Sequence, residues 1–276
     1  MTLSEKLTYC TTKIVAEYPD GSIGTGTGFF VNFNINHENS TCQPVLITNK
    51  HVVKGADKIS FNVCISDDDN NPIDTKKVQM VMNPIVSFGH PDENVDLCVI
   101  PIASLLEQAQ DKKIKLFRIP LTTDIIISSE EIQDCSAMEE LTMIGYPNGL
   151  EDEYNNKPII RRGITSTHMR LDYNGKKEFL IDMACFPGSS GSPIFFCNEN
   201  SYSSKGVVTI GSRIRLVGIL YAGPQHTGTG AIVFENIPTM PRTVFNIPNN
   251  LGLVIKAERI KEMENIFKEL NNGEKE

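Results

Sequence analysis

A surplus of acidic over basic residues, 34 against 26 in a chain of 276, gives a net charge of −8. That balance argues against nucleic acid or an anionic membrane as the main partner, because both need a basic surface. The length suits one large domain or two modest ones, and no apolar run approaches the roughly 20 residues that span a bilayer.

Strand signals dominate from the N-terminus onward. Residues 1–16 are polar and mixed, without the basic, apolar and small-residue sections of a secretory signal. Residues 12–18 and the glycine-led residues 24–31 flank Pro19-Asp20-Gly21 and predict a hairpin. Residues 37–43 read as a polar loop. Residues 45–48 predict a buried strand, with His51 at its end and Val52-Val53 following. Residues 59–65 alternate with period two, residues 67–71 form a charged turn, and residues 77–82 predict another strand. Residues 95–100 predict a short apolar strand with one carboxylate, Asp96, inside it. Residues 104–115 fit a short helix or a loop and link the two halves.

The second half repeats this style, with strands expected at 140–145, 159–169, 178–183, 193–197, 213–221 and 230–234. Residues 256–270 alone have helical spacing, with Ile260, Met263, Ile266, Phe267 and Leu270 on one stripe. The stripe is expected to pack on the body, and residues 271–276 to fray. Many short strands with glycine-rich turns indicate barrels or sandwiches. Seven cysteines, none in a C-x-x-C pair, read as small hydrophobes in a reducing compartment. No Cys/His spacing supports zinc, and no metal or other cofactor is expected.

The most informative stretch is Phe186-Pro187-Gly188-Ser189-Ser190-Gly191-Ser192-Pro193, running into Ile194-Phe195-Phe196. Gly188 and Gly191 can take φ > 0, so backbone amides here can converge beside the Ser190 hydroxyl. Serine hydrolysis needs a base and an acid that orients it. Of the five histidines, His37 and His226 lie in loops, His90 begins a turn sequence and His168 sits in an expected strand. Only His51 borders a strongly apolar strand. Asp96 is the matching acid, since a carboxylate followed by Leu-Cys-Val-Ile is costly to bury without a donor. Each residue alone also has a bland reading: a structural histidine, a turn cap, a flexible turn.

Together, and in this order, these segments resemble the trypsin-like, chymotrypsin-fold serine peptidases, most closely the HtrA-like bacterial branches without a PDZ domain. Gly26-Thr27-Gly28-Phe29-Phe30-Val31 resembles the family's G-x-G-F strand, and Thr48-Asn49-Lys50-His51-Val52-Val53 its T-x-x-H-V-V motif. Asp96-Leu97-Cys98-Val99-Ile100 resembles its D-L-A-hydrophobic motif. Residues 182–193 resemble its D-A-x-x-x-P-G-x-S-G-G-P run, and residues 217–222 the strand that pairs with substrate.

The resemblance implies two six-stranded antiparallel β-barrels with a C-terminal helix. Residues 1–115 would carry His51 and Asp96, residues 116–255 would carry Ser190, and residues 256–276 would form the helix and tail. It implies His51 as general base, Asp96 as orienting acid, Ser190 as nucleophile, and the Gly188 and Ser190 amides as oxyanion hole. Ala184 falls at the pocket base, with Phe186, Leu220, Tyr221 and Ala222 around it. With no carboxylate at the base and Leu220 where Glu- or Gln-selecting relatives carry histidine, a small or medium apolar P1 residue is expected. Asp182 could reach the pocket or serve as a structural hydrogen-bonding group.

Ser192 and Lys50 depart from the family's usual small residues, and no segment could yield an activating N-terminal ammonium. The hole is then ordered constitutively or by a partner. The expected setting is a cytosolic endopeptidase of a stress or defence pathway, acting on a protein or peptide substrate under a regulatory protein partner. A silent pseudo-protease that binds peptides, an esterase and a latent enzyme are the alternatives.

Overall fold

The structure is a computed structural model and describes residues 1–204, 206–231 and 242–273. It is mostly β, with a chymotrypsin-like arrangement of two sheets. In the first half, strands β1 (Thr11–Glu17), β2 (Ile23–Asn36), β3 (Thr41–Thr48), β4 (Lys58–Ser66), β5 (Pro72–Met82), β6 (Phe88–Gly89), β7 (Cys98–Pro101) and β8 (Leu116–Phe117) form one sheet. Its order is β5-β4-β1-β2-β3-β7-β6, with β8 paired to β4. This sheet has eight strands where six were expected, and among the described residues no ladder joins its ends.

The second half closes into a six-stranded barrel. Strands β9 (Glu140–Gly145), β10 (Ile159–Thr165), β11 (Glu178–Asp182), β12 (Pro193–Asn198), β13 (Arg213–Ala222) and β14 (Leu251–Lys256) run in the order β10-β11-β14-β13-β12-β9. Two further hairpins, Ser201–Ser204 with Val207–Ile210 and Gln225–Ala231 with Arg242–Pro248, stand apart from both sheets. The chain passes between the halves after Leu121, which bridges Val31, and before Ile126, which bridges Leu216.

Successive residues on a strand point to opposite faces, and here both faces are covered. Phe29 and Val31 of β2 join one apolar cluster while Phe30 joins another. Phe195 of β12 enters the first cluster, and Ile194 and Phe196 the interior of the closed barrel. The strands therefore read as continuous apolar runs. One cluster fills the first sheet, one fills the barrel, and the third lies between them. The C-terminal helix, Glu258–Gly273, seals that third cluster with Ile260, Met263 and Phe267. Phe267 meets Phe33 and Phe88 edge-on, with ring centroids 5.8 and 5.2 Å apart. The side chain of Leu270, residues 232–234 of the expected strand 230–234, and residues 274–276 lie outside the described residues.

Several local expectations need correction. Asp96 lies just before strand β7, not inside a strand. His51 sits in a short helix, Lys50–Val53, not at a strand end. His168 falls in the loop beyond β10. The undecided segment contains a helix, Ala103–Asp111, that buries Leu105 and Ala109. Expected loop 37–43 shrinks to residues 37–40, because β2 and β3 continue pairing through Asn36 and Thr41. All seven cysteines are unpaired; Cys42 is exposed and Cys197 half-buried. Among the described residues, no helix is long and apolar enough to cross a membrane.

Candidate active site

The short helix bearing His51 begins where β3 ends. Val52 and Val53 point into the first sheet's cluster, which leaves His51 exposed on the opposite side. Lys50 leans away, with Nζ donating to the Asp92 carbonyl at 3.1 Å. The His51 backbone N–H donates to Asp96 Oδ1 at 3.1 Å, and its ring Nδ1 lies 2.5 Å from Asp96 Oδ2. Asn49 Nδ2 holds the Asp96 carbonyl at 2.6 Å. Burial pushes the Asp96 carboxyl up, but the His51 ring and the His51 and Lys50 amides outweigh it and hold the group below the usual aspartate value. The fold brings His51 and Asp96 into direct contact.

Ser190 sits on the turn before β12. Gly188 and Gly191 adopt φ of 84° and 86°, a region that favours glycine. From Phe186 to Ser190, every carbonyl of the turn is anchored. The Pro187 carbonyl accepts Asn148 N–H at 2.6 Å, and the Ser189 carbonyl accepts Ser192 N–H at 3.0 Å. Within a trans peptide, N–H points opposite to C=O. These two anchors thus direct the Gly188 and Ser190 amides to the other side of the turn, where neither has an acceptor among the described residues. The Ser190 carbonyl accepts Thr27 N–H at 2.8 Å, which ties the turn to β2 of the first sheet. Ser190 Oγ donates to the Tyr221 carbonyl at 3.4 Å, and no hydrogen bond joins it to His51.

A cavity of about 160 Å³ adjoins Ser190, lined by Cys185, Phe186, Pro187, Leu220, Ala222 and Gly223. Of the expected pocket residues, Phe186, Leu220 and Ala222 line it. Ala184 does not, and the Tyr221 ring is drawn elsewhere by its hydroxyl, which donates to Glu178 at 2.9 Å. Asp182 is exposed and outside the lining. Burial pushes the Cys185 thiol up to about 12, so this wall is uncharged at neutral pH. Gly223 and Asn148 were not singled out from the sequence. Thr27, Asn49, Cys185 and Pro187 stood inside the quoted motifs but were given no role at the site.

A histidine oriented by a carboxylate, a serine on a glycine turn and two free amides beside it suit nucleophilic acyl transfer. Comparison with known proteins bears on the same chemistry. Residues 26–201 match the family model described as "Trypsin-like peptidase domain", more than half the chain. No curated protein matches. Among solved structures, an HtrA-type protease, AlgW with a tripeptide, superposes with a TM-score of 0.50 at 18% identity. That match covers 95% of this chain and 61% of the other. A structure named GrC gives 0.51 at 13% identity, covering 97% of both chains. The active form of the Rv3671c protease of M. tuberculosis gives 0.47 at 13% identity, covering 94% of this chain and 81% of that one. At these identities the first two likenesses speak for the fold alone. The family anticipated from the motifs is the family found, and the chain belongs to the trypsin-like peptidase domain family.

Proposed function

We propose that the chain is a serine endopeptidase working through His51, Asp96 and Ser190. On this reading His51 Nε2 takes the Ser190 proton as Oγ attacks a peptide carbonyl, and Asp96 stabilises the imidazolium that forms. The Gly188 and Ser190 amides receive the oxyanion; one such donor is typically worth about 3–4 kcal/mol of barrier. The imidazolium returns its proton to the leaving amine, and water then attacks the acyl-enzyme with His51 again as base. An extended substrate pairs beside residues 220–222, with a small or medium apolar P1 side chain in the cavity. The eight-stranded sheet is the counterpart of the family's first barrel.

One observation carries the reading above the rest: the Gly188 and Ser190 amides of the turn have no acceptor among the described residues, while the carbonyls of their peptide units are anchored elsewhere. That no hydrogen bond joins Ser190 to His51 is compatible with it, because catalytic hydrogen bonds often tighten only once substrate is bound.

The test is labelling by a fluorophosphonate probe, followed by profiling of a peptide library by mass spectrometry. Wild type should label, Ser190→Ala should not, and cuts should fall after small or medium aliphatic residues. Cuts mainly after Arg or Glu would overturn the pocket assignment. A second reading, a peptide-binding module without cleavage, is favoured by the lean of Ser190 Oγ toward the Tyr221 carbonyl. Absence of labelling with retained peptide binding would select it.

A further inference from the structure

One buried side chain touches almost every part of the nucleophile turn. Thr27 is wholly inaccessible to solvent, as are Ser189 and Ser192. Its hydroxyl donates to the Gly188 carbonyl at 3.0 Å. The same oxygen accepts the Tyr146 N–H at 3.1 Å and the Ser192 hydroxyl at 3.2 Å. A hydroxyl offers one proton and two lone pairs, so this one is saturated. The Thr27 main chain adds two more bonds. Its N–H donates to the Ser190 carbonyl at 2.8 Å, and its carbonyl accepts the Thr48 hydroxyl at 2.7 Å.

We propose that Thr27 is a positioning residue that locks the nucleophile turn in the conformation presenting the Gly188 and Ser190 amides; this rests on the serine-peptidase reading above. The Gly188–Ser189 peptide unit lies between the two units that carry those amides. Gly188 has no side chain to restrain it, and its carbonyl would be free to rotate if nothing held it. Rotation of that unit would also break the bond from Ser189 N–H to the Phe186 carbonyl, at 3.0 Å. Thr27 stops it by donating to Gly188 O. Within the turn, the bond from Ser189 N–H to Phe186 is the unit's only restraint, because the buried Ser189 hydroxyl has no hydrogen-bond partner among the described residues. The anchor therefore comes from β2 of the opposite sheet.

The same residue also registers the turn against the base. Thr48, which donates to the Thr27 carbonyl, is followed by Asn49, which holds Asp96, and then by the helix bearing His51. Thr27 thus fixes the oxyanion donors in the frame of the first sheet. This arrangement needs no activating ammonium group. The order of the hole is built into the fold by a Thr–Ser hydroxyl pair that spans the two halves.

The experiment compares Thr27→Val, which keeps the shape and loses the hydroxyl, with Thr27→Ser, which keeps the hydroxyl. The readouts are the second-order rate of fluorophosphonate labelling across pH, and the melting temperature. Thr27→Val is expected to label at least tenfold more slowly than wild type with an unchanged pH midpoint, since His51 and Asp96 are untouched. Thr27→Ser is expected to label within threefold of wild type. If Thr27→Val does not fold, Thr27→Cys replaces it: nearly the size of Ser but a poorer donor, it should label at least tenfold more slowly than Thr27→Ser. Folded Thr27→Val labelling within threefold of wild type, or Cys and Ser variants labelling alike, would overturn the proposal and leave the peptidase reading intact. A folded wild type that never labels would instead overturn the peptidase reading and this proposal with it.

Discussion

Asp96 receives the His51 amide on one oxygen and the His51 ring on the other. Its carboxyl is held below the ordinary aspartate range, so it is ionised at neutral pH. An ionised carboxylate needs a donor, which fixes the proton on His51 Nδ1 and leaves Nε2 as the acceptor. Asp96→Asn keeps the shape but offers an amide donor to Nδ1 and favours the opposite tautomer. Fluorophosphonate labelling should then fall by about 10⁴-fold, the loss this tautomer error causes in the triad template, while the melting temperature changes little. A fall of less than tenfold would remove the carboxylate from the mechanism. His51, Asp96 and Ser190 were legible because each stands within a contiguous motif. Thr27 and Asn49 were not, because what they do depends on partners far along the chain. Gly188 lies 161 positions from Thr27, and Asp96 lies 47 from Asn49. A polar side chain in a strand or cap looks the same in sequence whether its partner is water or a distant carbonyl.

Strands were the readable elements, because alternation and apolar runs report directly on which faces are covered. The misreadings came where a polar requirement cut an apolar run short. Asp96 must leave the ladder to accept two bonds from His51, so β7 starts only at Cys98. The helix bearing His51 lies so close to β2 that a Cβ on Gly26 would stand 2.4 Å from Val52 Cγ1. That packing explains the first glycine of the G-x-G-F segment, but it could not be inferred without the helix. The turn bearing Ser190 makes a comparable demand. A Cβ on Gly191 would lie 2.0 Å from the Thr27 carbonyl oxygen and 2.6 Å from Thr48 Oγ1, at φ of 86°. Gly175 has a similar φ of 75° but nothing within 4 Å. Gly175→Ala should therefore cost only the backbone strain, about 1 kcal/mol. Gly191→Ala should cost at least about 2 kcal/mol more by denaturant titration, because backbone must also move. Equal costs would mean that the turn does not depend on its close approach to β2.

Across the whole molecule, the halves are joined by polar bridges as well as by the shared apolar cluster. Lys13 of β1 reaches Glu151 at 2.6 Å. Asp74 of β5 accepts from the Tyr9 hydroxyl at 2.6 Å and from Lys157 at 2.7 Å. Glu151 and Lys157 belong to the loop that follows Asn148, whose amide anchors the Pro187 carbonyl of the turn bearing Ser190. The Asp74 bridge therefore braces the same loop that shapes the site. Burial raises the Asp74 carboxyl, but Lys157 and Tyr9 together bring it below the ordinary aspartate value. With the folded value below the unfolded one, the unfolded chain binds more protons near the acid limb, and stability falls as pH falls. The contribution of the bridge is complete above the ordinary aspartate range and disappears as pH drops through the lowered folded value. Melting temperatures of wild type and Asp74→Asn should thus differ most at neutral pH and converge between about pH 5 and pH 2. The comparison isolates Asp74, because every other carboxylate titrates in both proteins. A gap that stays constant down to the acid limit would mean that the carboxylate is not ionised and paired in the folded chain, and that the loop is held by the remaining contacts alone.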